Sequence, residues 1–168
     1  MHGAQRGAVT RASSECLRAH IAGFCVSGSL MLAPLPLPAQ TAVLQQANLV
    51  FGQVIAGSNA VVAHTDVAAA KFSIQAPRQS LVIVNVTLPT GVVSGPNSVP
   101  VTFGSGSAAW SKQDRAKGRT TFNPRQGAVI TVPPNGRFFV WIGGSVSLPL
   151  SQPAGSYTGT ITLTITQN

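Results

Sequence analysis

Residues 155–166 read GSYTGTITLTIT, in which Tyr157, Gly159, Ile161, Leu163 and Ile165 alternate with Thr158, Thr160, Thr162, Thr164 and Thr166. Side chains alternate faces along a strand, so a period of two predicts an antiparallel strand with an apolar inner face and a hydroxyl-bearing outer one. Threonine suits the outer face because its branched Cβ fits a pleated surface while its hydroxyl tolerates water.

Stretches of the same kind recur. The pattern predicts strands over residues 48–55, 60–64, 69–75, 80–88, 99–103, 128–132, 137–141, 145–148 and 157–167. Between them lie GSN (57–59), APRQ (76–79), PTGVVSGPNS (89–98), PPNG (133–136) and SQPAG (151–155), all rich in residues that set turn geometry. No window of a dozen residues carries a helical stripe. Seven to nine short strands at this spacing predict an all-β, immunoglobulin-like β-sandwich of antiparallel strands, with a closed barrel as the alternative. Residues 104–127, GSGSAAWSKQDRAKGRTTFNPRQG, are the least patterned and read as a long surface loop.

The strand at 137–141 departs from simple alternation. Phe138 and Val140 fall on one face and Phe139 and Trp141 on the other, so both faces are apolar. Burial on two sides explains this, as does a face covered by a partner.

The first forty residues change the picture of where the chain works. Arg6, Arg11 and Arg18 precede an apolar run from Ile21 to Ala33, followed by Pro-Leu-Pro-Leu-Pro-Ala39. A positive start, about a dozen apolar residues and a small residue at the end predict a cleaved signal peptide over 1–39. The other reading is a buried N-terminal helix. The run is shorter than the roughly 20 apolar residues that span a bilayer, and no transmembrane segment is expected in the mature chain. The expected organisation is thus 1–39 as leader, 40–47 as an extended segment and 48–168 as the sandwich, in an exported protein. Cys16 and Cys25 both fall in the leader, so the mature chain has no disulfide. Phe24 is too bulky for the residue before a lipidated Cys25, which argues against a lipid anchor.

Charge changes it again. From Gln40 onward, Lys71, Arg78, Lys112, Arg115, Lys117, Arg119, Arg125 and Arg137 face only Asp66 and Asp114. Five of the cations lie between 112 and 125, which makes Lys112, Arg115, Lys117, Arg119 and Arg125 the candidate contacts for an anionic surface polymer. Nucleic acid is not expected, given export and the 6% aromatic content.

Catalysis finds little material. One histidine, two aspartates, no glutamate and no cysteine remain after residue 39. His64 and Asp66 would supply two metal ligands on one strand face without an evident third, and no GxSxG or phosphate-binding glycine pattern occurs. No enzyme activity, cofactor or metal is expected.

Three blocks carry a family resemblance: Leu49-Val-Phe-Gly52 with Ala56-Gly57; Lys71-Phe-Ser-Ile74 and the strand ending at Leu88-Pro89; and Trp141-Ile-Gly-Gly144 followed by Gln152-Pro-Ala-Gly-Ser-Tyr-Thr-Gly-Thr160. Over roughly 48–166 the chain resembles the bacterial domain of unknown function 4402 family, exported proteins of Gram-negative bacteria that look like pilus or fimbrial subunits and spore-coat-U-type domains. It departs from them in ending Thr-Gln-Asn168 and in its basic 112–125 stretch. The resemblance implies an immunoglobulin-like sandwich at the cell surface or in the periplasm, with a structural or adhesive role.

Two functions follow as expectations. In the first, the chain is a coat or appendage subunit that joins copies of itself or other surface subunits by strand pairing, with Tyr157, Ile161, Leu163 and Ile165 on the exchange edge and 41–48 as the donated tail. In the second, it is a monomeric binding module whose 104–127 loop holds an anionic polymer or a protein.

Overall fold

The computed structural model describes residues 40–167, all within the unit Leu37–Asn168. The leader expected over 1–39, with Cys16 and Cys25, lies outside the described residues.

Among the described residues twelve strands form, all paired antiparallel. In chain order they are β1 (Ala42–Ala47), β2 (Asn59–Val62), β3 (Ala70–Gln75), β4 (Leu81–Thr87), β5 (Gly91–Ser94), β6 (Asn97–Thr102), β7 (Ala108–Ser111), β8 (Thr120–Phe122), β9 (Ala128–Thr131), β10 (Arg137–Ile142), β11 (Gly144–Ser147) and β12 (Thr162–Gln167). They make a five-stranded sheet ordered β1-β3-β10-β7-β8, a four-stranded sheet ordered β2-β11-β6-β5 and a three-stranded sheet ordered β12-β4-β9. Among the described residues there is no helix.

Alternate side chains of all three sheets meet in one core. Phe72 and Ile74 of β3, Phe138, Val140 and Ile142 of β10, Val82 and Val84 of β4, Val99 and Val101 of β6, Ile130 of β9 and Val146 of β11 belong to it. This is a β-sandwich. Its corner between β10 and β11 depends on Gly143, where a Cβ would collide with the carbonyl oxygen of Val62. The bare backbone therefore lets one continuous segment serve two sheets.

The strands missing from the sequence pattern lie in its turn-rich segments. Ser94 pairs with Asn97 across a two-residue turn whose first central residue, Gly95, has a φ of 57°, so PTGVVSGPNS contains the β5-β6 hairpin. Likewise β7 and β8 pair within 104–127, leaving a shorter excursion over 112–119.

At the N-terminus the expected strand over 48–55 is displaced. The strand is β1, and 48–55 is irregular, with Gly52 at a φ of 71° interrupting extended structure while Leu49, Phe51 and Val54 turn toward the core. The expected C-terminal strand divides in two. Thr158 forms an isolated bridge to Val93 of β5, with N–H···O distances of 2.8 and 3.0 Å, and β12 then pairs with β4. The segment passes from the edge of one sheet to the edge of another at Gly159, where a Cβ would crowd the Gly91 carbonyl.

Candidate functional site

Two regions hold most of the residues singled out by sequence. The first is the excursion between β7 and β8, which folds back over the outer face of the five-stranded sheet. On that face Phe139 and Trp141 stand 6.0 Å apart, centroid to centroid, and are only 8% and 3% exposed. The chain itself covers them, and this accounts for the two-sided apolar pattern of β10.

Two cations hold the excursion in place. Lys71, opposite Trp141 in the β3-β10 register, bonds through Nζ to Asp114 Oδ2 at 2.6 Å and lies 5.7 Å from the Phe139 ring centroid. Arg119 sits over the buried Trp141 indole, its guanidinium carbon 3.7 Å from the ring centroid. Its Nε donates to the Arg115 carbonyl at 3.1 Å and its Nη1 donates to the His64 carbonyl. Burial lowers the Arg119 pKa from its ordinary value, and the nearby Asp114 carboxylate opposes that shift. A guanidinium keeps its charge under such conditions and offers donors in a fixed plane, which is why arginine fits a site that is part stack and part hydrogen bond.

The five basic candidates thus divide. Arg119 is half-buried and turned inward as a latch. Lys112, Arg115 and Lys117 are exposed together on the excursion. Arg125 is exposed elsewhere, in the turn before β9, where its backbone N–H donates to Asn123 Oδ1 at 3.0 Å. Sequence spacing did not separate these roles, because the partner that distinguishes Arg119 is Trp141, 22 positions away.

His64 and Asp66 sit in a turn after β2. Asp66 Oδ2 accepts from the Ala63 N–H at 2.7 Å, so the carboxylate organises the turn. Among the described residues no three His, Cys, Asp or Glu side chains are grouped to share a metal ion.

The second region is formed by the strand edges. Ile165 lies opposite Val84 and Leu163 opposite Val86, so the apolar face of β12 continues the inner face of β4; Ile161 and Tyr157 are half-buried against the same core. Tyr157 is fixed further by its hydroxyl, which donates to the Pro153 carbonyl at 2.8 Å and accepts from Gln152 Nε2 at 2.7 Å. These four side chains anchor the segment inward. On the outer face Thr162, Thr164 and Thr166 lie opposite Thr87, Asn85 and Ile83. Strand β12 has a strand partner on one side only, and so does β1.

β1 is unlike the other long strands. It pairs with β3 from Ala42↔Gln75 to Ala47↔Lys71, with a bulge between Gln45 and Ala47, yet five of its six residues are exposed and Ala47 is half-buried. Leu44 is 64% exposed. Next to it, residues 48–54 and 152–161 border a cavity of about 1080 Å³ that reaches Phe72, Val101 and Phe103. Sequence reasoning found the exposed 40–47 segment and missed the cavity, whose walls come from segments far apart in the chain.

The family model described as domain of unknown function (DUF4402) matches residues 41–166. No curated protein and no solved structure shows a significant match to the chain.

Proposed function

The chain belongs to the family of domain of unknown function DUF4402, and from that premise and the way its sheets end we propose that it is an exported, immunoglobulin-like structural subunit that joins its neighbours by strand pairing. It carries out no catalysis. One observation supports this reading above the others: β1 is seated on β3 through its backbone while nearly all its side chains stay in water. Net backbone hydrogen bonds contribute about 0.5–1.5 kcal/mol each, so a six-residue strand without packing is cheap to detach. An identical strand from a second copy regains the same bonds on the same edge, with the irregular 48–55 segment as the hinge.

The outward edge of β12 offers a second place for a neighbour's strand, while the half-buried Tyr157, Ile161, Leu163 and Ile165 keep that edge in place. Deletion of residues 40–48 tests the reading. Assemblies seen as a ladder on an unboiled denaturing gel disappear in the deletion while the protein is still secreted. Ladders that persist in the deletion overturn it.

A further inference from the structure

The excursion over 112–118 is more than a solvated loop. All seven residues are exposed, but the segment is tied at two points: Asp114 within it by Lys71, and Arg119 just after it by Trp141 and the His64 carbonyl. The one carboxylate within it is therefore already compensated by a cation from another strand. Lys112, Arg115 and Lys117 are left without a compensating acid on the excursion, held by a strap tied down at two points.

We propose that this strap is a docking surface for an acidic polysaccharide chain. Charge complementarity sets the sign of the partner, and the strap's composition sets its kind. Residues 112–118 include no aromatic side chain and no aliphatic one larger than alanine, so the tip has no wedge for a bilayer and no ring on which a base stacks. The buried Trp141 ring is occupied by Arg119. Carboxylate or sulfate groups on a flexible sugar chain need only ionic and hydrogen-bonding partners, which two lysines and an arginine provide. Fixing the strap reduces the conformational entropy lost on binding.

The test uses the secreted protein and fluorescein-labelled alginate, a carboxylated polysaccharide, with binding followed by fluorescence anisotropy across a salt series. Wild type binds at low salt and weakens steadily as salt is added. The exposed double substitution K112Q/R115Q weakens binding about tenfold and flattens the salt dependence. R78Q/R137Q removes the same charge from exposed positions around a separate cavity and changes binding less than about twofold. Equal losses in the two variants overturn the proposal, as does absent binding by wild type. Duplex DNA or anionic phospholipid vesicles bound as tightly as alginate overturn it too.

Discussion

The guanidinium of Arg119 and the indole of Trp141 lie 3.7 Å apart, carbon to centroid, across the outer face of β10. That contact turns what reads as a loose basic loop into a strap. It also explains how a strand with Phe139 and Trp141 on its outward side stays out of water. Fully burying large apolar side chains contributes about 1.5–3 kcal/mol each, so the strap protects a second small apolar layer outside the main core.

Removing the latch exposes that layer. Arg119→Ala is expected to destabilise the fold by about 1–2 kcal/mol and to shift Trp141 emission to the red, measured in a Trp110→Phe background that isolates the one remaining indole. Arg119→Lys keeps the charge and loses the planar guanidinium over the ring, so its emission moves the same way, though less. An unshifted spectrum in Arg119→Ala would show that the ring is covered by something else.

The sandwich corner makes a sharper steric prediction. Gly143→Ala places a methyl group against the Val62 carbonyl and the backbone of Ala63 and His64, where no flexible side chain can step aside. A loss of about 1–3 kcal/mol follows from overpacking, seen as a lower midpoint in denaturant with an unchanged slope. Gly104→Ala, whose Cβ meets open space, serves as the comparison and should move the midpoint little.

The two faces of β12 are predicted to respond differently to truncation. Ile165→Ala removes a half-buried contact opposite Val84 and should cost about 2 kcal/mol. Thr164→Ala on the outer face, opposite Asn85, should cost less than about 1 kcal/mol. Equal costs, measured by urea unfolding, would mean the alternation does not mark an inside and an outside.

Much of this fold is legible in period-two patterning, and the reasons for what is not are physical. Strands with a strong apolar face, such as β3, β4, β10 and β12, announce themselves because their inner residues are the core. The strands hidden from the pattern are short or nearly unburied. β5 is four residues beside a Gly95-Pro96 turn, β8 is three, and β1 is exposed at five of its six residues. Gly52 and Gly159 interrupt segments whose alternation continues past them, so 48–55 lost its strand and 157–167 was divided. Within the basic stretch the charges were visible, but the division of labour among Arg119, Lys112, Arg115 and Lys117 depends on Trp141 and Lys71, brought in by other strands. Sequence patterning reports which side chains seek the core and is silent on backbone-only seating, the feature on which the proposed assembly rests.

A cysteine pair tests that assembly most directly. Leu44 and Ser73 lie opposite each other in the β1-β3 register, and both native cysteines, Cys16 and Cys25, precede residue 40. Leu44→Cys and Ser73→Cys are placed on separate chains, co-expressed, secreted and oxidised, then run on a non-reducing denaturing gel. Strand exchange predicts a disulfide-linked species of twice the subunit mass that requires both variants. If the two chains stay monomeric while the double variant in one chain closes its own disulfide, β1 remains on its own β3 and the proposed assembly is contradicted.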